Sequence, residues 1–365
     1  MSFLTAIHSA VPSFEIKAAD FEAFVAARHP NEPDTLRKLR FLSSRTGINQ
    51  RFAVLPDYAD RQKARLYWKH GEIEHASIQK RMEIYREEAL RLSLAAIRPV
   101  LAANALPPTH LVFTSCTGLS APGIEVQLVR ALGLPAHTFR HTVNFMGCYA
   151  ALHALRTAHY ICEAESEARV LVVCTELCSL HYQEATHDDA MLSNLLFGDG
   201  SAALMLCGAA HAAEAVLEID GFFASLLPGG ESDMSWDLSG TGFEMKLSSY
   251  VPALLSGHLD QALAGAWEAW GLQQSDIQHW ALHPGGRSIL EKLQQALKLQ
   301  RSDLAASYEV LERHGNMSSA TVLFVLQQLL ANAPKAGERV VLAAFGPGLS
   351  MELGTARFLT PASNA

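Results

Sequence analysis

The chain has 365 residues, of which 49% are hydrophobic and 18% are charged, and its formal net charge is −8. This length allows one large domain or two medium domains with an ample core. The acidic balance argues against a general nucleic-acid surface, which would need an excess of basic residues. No apolar run reaches membrane-spanning length, and the first residues lack the pattern of a signal peptide, so we expect a cytoplasmic protein.

The cysteines of the chain lie within its central third and lack the spacing of a zinc site or a compact disulfide framework. They are Cys116, Cys148, Cys162, Cys174, Cys178 and Cys207. Free thiols in a reducing compartment fit this pattern best. We therefore expect no metal site in the protein.

The first half of the chain alternates helical segments with buried strands. In chain order we expect a basic helix over 37–45, one or two amphipathic helices over 73–105, a strand over 110–115, a helix over 124–132, a helix over 149–160, a strand over 168–174 and a strand over 202–207. The strand over 110–115 is predicted to be buried, and the strand over 168–174 is strongly apolar, which is typical of a sheet covered on both faces.

The stretch NFMGCYAA at 144–151 contains the first candidate functional residue. Cys148 follows a glycine and precedes the predicted helix over 149–160. Unpaired N–H groups and the positive end of the helix dipole favour a thiolate at such a position, and the thiolate is the nucleophilic form. A small apolar residue that packs a helix start is the alternative interpretation of Cys148.

The second half of the chain repeats this order of elements. A strand over 280–282 ends at His283, a helix follows over 288–297, and Asn316 opens an apolar helix that reaches about residue 330; a strand over 338–344 ends at Gly346-Pro347. The spacing from Cys116 to Cys148 is 32 residues, and that from His283 to Asn316 is 33. We infer two copies of one βα-rich unit, with Asn316 at the position that Cys148 holds in the first copy.

A cysteine, a histidine and an asparagine on separate loops can form one nucleophilic site. Open α/β sheets place their chemistry at strand exits and helix starts, where Cys148, His283 and Asn316 all lie. Histidine near the thiol stabilises the thiolate, and asparagine donates a hydrogen bond. The same three residue types also suit a cysteine protease, so the residue types alone leave both possibilities open.

Six segments of the sequence resemble those of type III polyketide synthases, the chalcone synthase-like branch of the thiolase and ketoacyl synthase superfamily. They are NFMGCYAA (144–151), RVLVVCTEL (169–177), LFGDGSAAL (196–204), ALHPGG (281–286), HGNMSSATVLFVL (314–326) and AAFGPGLSMEL (343–353). The resemblance extends over nearly the whole chain, and the six segments occur in the family's order.

The resemblance implies an α/β, thiolase-like fold in which two pseudo-repeated halves, 1–208 and 209–365, form a five-layered αβαβα core. It also implies a homodimer and an acyltransferase that needs no metal or redox cofactor. Cys148 is loaded from an acyl-CoA starter, which is then extended by iterative decarboxylative condensation with malonyl-CoA. His283 and Asn316 stabilise the enolate, and a low thiol pKa is maintained by the helix start and an imidazolium at His283.

Further positions follow from the same resemblance. Phe197 matches the gatekeeper phenylalanine, while the second gatekeeper aligns with Met245, with Phe243 two residues earlier. Trp236 replaces a small glycine of the plant enzymes and narrows one wall of the cavity. The remaining residues assigned to the cavity are Cys116, Thr117, Cys178, His181, Ser318, Gly346 and Pro347. Alternatively, Cys178 is a core residue, and His181 with His187, Asp188 and Asp189 forms a solvated loop rather than a metal site.

The basic helix near the N-terminus corresponds to the family's CoA-binding helix. Lys38 and Arg45 match two of its phosphate-binding positions. Phe41 occupies the third, for which the neighbouring Arg40 is a substitute, although an exposed basic helix is often only solvated. Ala121 stands where plant relatives place a methionine that reaches into the partner's cavity.

Two alternatives remain at this stage. One is a single-condensation enzyme similar to ketoacyl synthase III, which takes its substrate from an acyl carrier protein. The other is a non-catalytic partner subunit with a thiolase fold, against which the joint presence of Cys148, His283 and Asn316 argues. For the leading interpretation, a pyrone, a resorcinol or a polyhydroxylated aromatic is the expected product, and the starter chain is left open.

Overall fold

The computed structural model describes residues 1–184, 187–228, 230, 233–240, 242–248 and 251–359, with only the backbone of Ser256. Residues 360–365, the end of the predicted C-terminal half, lie outside this range, as do short gaps within both halves. The strands are β1 (Ser2–Ala10), β2 (Phe14–Lys17), β3 (Gln50–Ala53), β4 (Trp68–Lys69), β5 (Glu72–Ile73), β6 (His110–Ser115), β7 (Phe139–Asn144), β8 (Arg169–Leu177), β9 (Asp199–Cys207), β10 (Leu217–Leu226), β11 (Met234–Leu238), β12 (Phe243–Leu247), β13 (His279–Leu282), β14 (Arg339–Gly346) and β15 (Ser350–Phe358). The α-helices are α1 (Ala18–Arg28), α2 (Pro33–Thr46), α3 (Ile78–Ala102), α4 (Ile124–Ala131), α5 (Ala150–Ala164), α6 (Asp188–Leu196), α7 (Val251–Trp270), α8 (Arg287–Ala296), α9 (Ala305–His314) and α10 (Thr321–Ala331).

One mixed sheet runs through both halves of the chain. Its strands follow the order β13-β14-β15-β10-β1-β9-β8-β6-β7. Strand β6 pairs in parallel with β7 and β8, and β13 pairs in parallel with β14, whereas the other neighbours in this sheet are antiparallel. Strand β1 joins the halves because it pairs with β9 on one side and with β10 on the other.

In the N-terminal half, alternate residues of each strand face different helical layers, as the period of two in a β-strand requires. Val170 and Val172 of β8 pack with α5 and α10 in a central apolar cluster. Leu171 and Val173 point the other way and pack with α3 in an outer cluster. Both faces of the strand are therefore buried, which explains its continuous apolar sequence.

The C-terminal half repeats this arrangement on the other side of the central helices. Val340 and Leu342 of β14 face the central cluster, while Val341 and Ala343 face an outer cluster that contains residues of α7 and α8. The chain therefore forms five layers. The N-terminal and C-terminal parts of the sheet each lie between the central helices and an outer layer of helices. The predicted αβαβα, thiolase-like architecture is thereby confirmed.

The repeated unit places the candidate residues at matching points. Cys116 follows β6 and His283 follows β13, while Cys148 precedes α5 and Asn316 precedes α10. One detail differs from the prediction: α10 begins at Thr321, and a short 3-10 turn over Ser318–Ala320 separates it from Asn316. Asn316 therefore lies before the helix rather than in its first turn.

Several elements were not predicted from the sequence. They include β1, β7, β10, β15, the hairpin of β11 and β12, and α7. Strand β1 (SFLTAIHSA) carries threonine, histidine and serine among its apolar residues, so its pattern is weak, although its pairing makes it central. Among the described residues, no helix is long and apolar enough to cross a membrane.

Candidate active site

Cys148 lies between β7 and α5, where the chain leaves the sheet and enters the central helical layer, and it is 1% exposed. The preceding Gly147 has a φ of 83°, and a Cβ atom there would lie 2.4 Å from Cδ of Pro347. Glycine alone combines this conformation with such a close contact. Gly346 also allows a close approach, since its Cβ would lie 2.4 Å from Cδ1 of Tyr149. The predicted Gly346-Pro347 turn therefore packs against Gly147 and Tyr149, the two neighbours of Cys148 in the chain.

The side-chain amide of Asn316 faces the thiol. Both Oδ1 and Nδ2 of Asn316 lie 3.9 Å from Sγ of Cys148. The amide is oriented by its other contacts, because Oδ1 accepts a hydrogen bond from the backbone N–H of Ser318 at 2.8 Å and Nδ2 donates to the carbonyl oxygen of Gly285 at 3.3 Å. The side-chain N–H groups of Asn316 therefore point toward Cys148 and toward the His283–Gly286 turn.

Backbone hydrogen bonds join the Asn316 loop to the predicted gatekeeper. The N–H of Asn316 donates to the carbonyl oxygen of Leu196, and the N–H of Gly198 donates to that of Asn316, both at 2.9 Å. Phe197 and Asn316 thus form an isolated parallel β-bridge. Two segments that are far apart in sequence are held at a fixed register beside the nucleophile.

His283 completes this group at the end of β13, and it is 1% exposed. Its backbone N–H donates to the carbonyl oxygen of Ala343 at 2.8 Å, which extends the pairing with β14 by one residue. Among the described residues, neither Nδ1 nor Nε2 of the buried ring has a hydrogen-bond partner. Buried polar atoms are rarely left unpaired in native proteins, so both ring nitrogens are available to hydrogen-bond a bound group.

Burial acts on the protonation of both Cys148 and His283. It raises the pKa of the Cys148 thiol to about 12, against smaller lowering effects of hydrogen bonds from Ser318 and Asn316. Burial also lowers the pKa of His283 to about 3. Loss of hydration therefore opposes the expected pair of thiolate and imidazolium, because it disfavours the charged form of each group.

Glu176, near the end of β8, is a buried carboxyl group that the sequence analysis did not identify. It accepts hydrogen bonds from the N–H of Cys116 at 2.9 Å, from Oγ1 of Thr117 at 3.0 Å and from Oγ of Ser319 at 2.5 Å. Burial raises its pKa to about 7, and these hydrogen bonds oppose the rise. A glutamate inside an otherwise apolar strand was the sequence signal for it.

A cavity begins beside Cys148, where Gly147 and Ser318 line it. Eight of the predicted cavity residues contribute to its walls: Cys116, Thr117, Cys178, His181, Phe197, Trp236, Met245 and Ser318. Gly346 and Pro347 are not among the residues that line it, and they pack behind Cys148. Cys178 is half-buried at this wall, so its alternative interpretation as a core residue does not hold.

One wall of the cavity is an aromatic cluster. His181 stacks on Phe243 with a centroid distance of 4.5 Å, and Trp236 meets the His181 ring edge-on at 5.6 Å. Nε1 of Trp236 donates to the carbonyl oxygen of Cys116 at 2.7 Å, which holds the indole in place. His181 is buried, so the prediction of a solvated loop is wrong for this residue.

The two candidates for the second gatekeeper, Met245 and Phe243, share one face of β12 because they are two residues apart. Met245 lines the cavity and pairs across the hairpin with Trp236. Phe243 is 1% exposed and packs behind His181. The structure therefore places Met245, and not Phe243, at the cavity surface.

The far end of the cavity is built from residues that the sequence analysis did not connect with the site. Phe21, Tyr58 and Tyr182 line it, and all three are at least nine-tenths buried. Arg51 lies there as well, with its guanidinium 4.3 Å from the centroid of the Phe21 ring. No local pattern in the first sixty residues points to a cavity, because these side chains meet only through the tertiary fold.

The residues predicted to bind CoA lie on α2. Lys38 forms an ion pair with Asp188. Arg45 stacks on Phe41, with its guanidinium carbon 4.1 Å from the ring centroid. Arg40, the predicted substitute, pairs with Glu22 at 3.2 Å. In the part of the chain that the structure describes, no cluster of three or more His, Cys, Asp or Glu residues is arranged to hold a metal ion.

Sequence comparison identifies relatives over almost the whole chain. Residues 1–210 match the family model "Chalcone and stilbene synthases, N-terminal domain", and residues 218–358 match the corresponding C-terminal domain. The chain is 36% identical over 289 residues to "Alpha-pyrone synthesis polyketide synthase-like Pks18" of Mycobacterium tuberculosis H37Rv, which covers 76% of this chain and 73% of the relative. It is 32% identical to the "Putative chalcone synthase" of Bacillus subtilis 168, over 97% of this chain and 98% of the relative.

Solved structures of similar shape are described in the same terms. PKS-I from the brown alga Ectocarpus siliculosus superposes with a TM-score of 0.90 and 25% identity, covering 98% of each chain. The C-terminal type III polyketide synthase domain of Steely1 from Dictyostelium superposes with a TM-score of 0.89 and 26% identity, covering 98% of this chain and 99% of that domain. The structural similarity therefore extends over both halves of the chain and the region that joins them.

Proposed function

Because the chain belongs to the chalcone and stilbene synthase family and is a type III polyketide synthase, we propose that Cys148, His283 and Asn316 perform its acyl transfer and decarboxylative condensation. The observation that supports these roles most strongly is the geometry of the buried group. The Asn316 amide lies 3.9 Å from Sγ of Cys148, and the His283 ring has two unpartnered nitrogens.

The first step loads the starter acyl group onto Cys148. In our proposal the thiol proton passes to the neutral His283 ring as Sγ attacks the carbonyl carbon of the acyl-CoA thioester. The Asn316 amide stabilises the oxyanion that forms. The C–S bond to CoA then breaks, and CoA leaves with the proton that His283 received. A neutral histidine can accept this proton, whereas a resting imidazolium could not.

The second step forms the carbon–carbon bond. Malonyl-CoA loses its carboxylate as CO2, and the electron pair of the broken bond becomes an enolate on the thioester. Hydrogen bonds from the Asn316 amide and the His283 ring stabilise the enolate oxygen in a site from which water is largely excluded. The enolate carbon then attacks the acyl-Cys148 carbonyl, which expels the Cys148 thiolate and leaves a β-keto thioester on CoA.

Further extension requires the lengthened chain to return to Cys148 and to fit within the cavity. The gatekeeper Phe197, with Met245, separates the reactive group from the cavity in this scheme, while Cys116, Thr117, Cys178, His181, Trp236 and Ser318 shape the space in which the chain folds. The product class we propose is a pyrone, a resorcinol or a polyhydroxylated aromatic. The substrates are CoA thioesters, no separate cofactor takes part, and Lys38 and Arg45 contribute to CoA binding.

The assembly and location of the protein are proposals on the same basis. Strand β7 is an edge strand with mostly exposed side chains, and Phe139 is 62% exposed. Exposed apolar edges are often covered by a partner, which supports a homodimer. The division into halves at about residue 208 follows the repeat, and the six free cysteines agree with a cytoplasmic enzyme.

A starter panel tests the function directly. The purified protein is incubated with acyl-CoA starters from acetyl to palmitoyl and labelled malonyl-CoA, and products are identified by mass. We expect CoA release, CO2 release and products that each contain one starter and one or more malonyl-derived units. Failure with every acyl-CoA, together with turnover of malonyl-acyl carrier protein, would refute the proposal in favour of a carrier-dependent enzyme.

A pair of variants tests the nucleophile. We expect Cys148→Ala to abolish acylation of the protein by a starter acyl-CoA, as followed by intact-protein mass. Cys178→Ala is the matched control, since it removes another cavity cysteine and should leave acylation of the protein intact. A Cys148→Ala protein that still extends starters would overturn the assignment.

A further inference from the structure

The cations of α2 differ in how firmly they are bound to carboxylates. Arg37 pairs with Asp34, Arg40 with Glu22 and Lys38 with Asp188. Among the described ion pairs there is none for Arg45, whose guanidinium lies on the exposed ring of Phe41. Arg45 is also the cation closest to the C-terminal end of this helix, which stops at Thr46. It is therefore the residue of α2 with the most freedom to bind an anion.

A second arginine lies at the same end of α2. Arg287 is the first residue of α8, and its Cδ lies 3.2 Å from the position that a Cβ of Gly47 would take. Gly47 ends α2 with a φ of 72°, so the absence of a side chain both permits this turn and makes room for the arginine. The only ion pair of Arg287 among the described residues is an exposed contact with Glu291 at 2.8 Å. Such exposed pairs contribute little, so the guanidinium can exchange this partner for another anion.

Arg287 is also close in the chain to His283, one of the residues proposed to be catalytic. His283, four residues earlier, is 1% exposed, whereas the side chain of Arg287 is 45% exposed. Between them, the carbonyl oxygen of Gly285 accepts a hydrogen bond from Asn316. The segment therefore begins at the buried catalytic group and ends at the surface beside Gly47, two residues after Arg45. A substrate with its reactive end at His283 and a negatively charged end at the surface would fit this path.

We propose that Arg287, together with Arg45, binds the phosphate groups of CoA. This inference rests on the proposed function and adds to it a residue from the C-terminal half of the chain. Arg287 then supplies a cation that α2 lacks at Phe41. Two guanidinium groups raise the local positive potential, and each can make bidentate hydrogen bonds to phosphate oxygens.

The test compares thioesters that differ only in their phosphates. Isothermal titration measures the binding of CoA to the full-length protein, and kcat/KM is measured for starters carried on CoA, on 3′-dephospho-CoA and on pantetheine. We expect Arg287→Ala to raise the Kd for CoA about tenfold and Arg287→Lys to raise it less, because an ammonium group lacks the bidentate geometry. The kcat/KM for the pantetheine starter, which has no phosphate, should remain unchanged.

The control is Arg37→Ala, which removes one positive charge from the exposed surface of α2 and should leave the Kd within about twofold. Glu291→Gln supplies a change in the opposite direction, since it frees Arg287 and should tighten CoA binding about twofold. A loss with CoA but not with 3′-dephospho-CoA would place the contact at the 3′-phosphate, and an equal loss with both would place it at the diphosphate.

Equal Kd values for Arg287→Ala and Arg37→Ala would overturn the inference, as would an equal loss with the pantetheine starter. These results would leave the proposed function intact, because the wild-type protein would still bind CoA and extend starters. A wild-type protein that does not bind CoA at all would instead contradict the proposed function. The two failures are therefore distinguishable in one set of measurements.

Discussion

Glu176 provides a quantitative test of the buried polar network beside the nucleophile. We consider the substitution Glu176→Gln, which removes the charge and keeps the size of the side chain. The amide oxygen can still accept hydrogen bonds from the N–H of Cys116 and from Thr117, and the amide N–H2 can donate to Oγ of Ser319, which then accepts instead of donating. The network can therefore remain hydrogen-bonded without a carboxylate.

The magnitude follows from the pKa of Glu176. Burial raises this pKa from 4.5 to about 7, so between these values the folded protein binds one proton more than the unfolded chain. The free energy of unfolding therefore falls as pH rises through this window, and the full penalty is present above it. Between about pH 5.5 and pH 8 the loss is about 2 kcal/mol, taking 1.36 kcal/mol for each pKa unit. Glu176→Gln should not show this part of the pH dependence.

Calorimetric melting at both pH values measures the effect. For a chain of this length, about 2 kcal/mol corresponds to a change of about 2–3 °C in Tm. The wild-type Tm should therefore fall by that much more than the Tm of Glu176→Gln between the lower and the higher pH. Glu268→Gln, on the exposed surface of α7, is the control and should follow the wild type. If Glu176→Gln shows the same pH dependence as the wild type, Glu176 is charged throughout and the reasoning fails.

Three further predictions concern the catalytic group and the cavity. Asn316→Ala should slow malonyl-CoA decarboxylation about 100-fold or more, while acylation of Cys148, followed by protein mass, persists; equal loss of both would contradict the proposed role of the amide. Gly147→Ala should lower stability by about 2 kcal/mol or more in calorimetry, because its Cβ would lie 2.4 Å from Pro347, and a wild-type Tm would show that this turn can relax. Trp236→Gly should shift product masses to longer chains, while Trp236→Phe, which loses only the hydrogen bond to Cys116 and little volume, should not; identical product spectra for both would show that the indole does not limit the cavity.

The three residues proposed to be reactive could be located in the sequence because their signals are local. Cys148 and Asn316 precede apolar helices, His283 follows a short strand, and the similar spacing of the two halves relates these positions. The strand at 110–115 was predicted with its observed ends, since its β-branched and aromatic residues are bounded by a Pro-Pro pair before it and by a Thr-Gly pair shortly after it. The family resemblance then assigned the cavity positions, eight of which line the observed cavity.

Other features depend on contacts that no local pattern contains. Strand β1 is central only because β9 and β10, about two hundred residues later, pair with its two edges. Phe21 and Tyr58 line the far end of the cavity because the N-terminal segment folds over α6 and the loop after β8. The effect of burial on the pKa of Cys148 has the same origin, because the helix start is visible in the sequence whereas the depth of burial is not.

The β-bridge between Phe197 and Asn316 has a consequence for engineering the product spectrum. Here the backbone on both sides of Phe197 is hydrogen-bonded to Asn316, so a bulkier or smaller residue that shifts this backbone also displaces the amide facing the thiol. A substitution at Phe197 that shifts this backbone is therefore expected to change both the length of the product chain and the turnover rate. Trp236 lies on a separate hairpin and has no such hydrogen bond to Asn316 among the described residues, so its substitution does not act on the amide through this bridge.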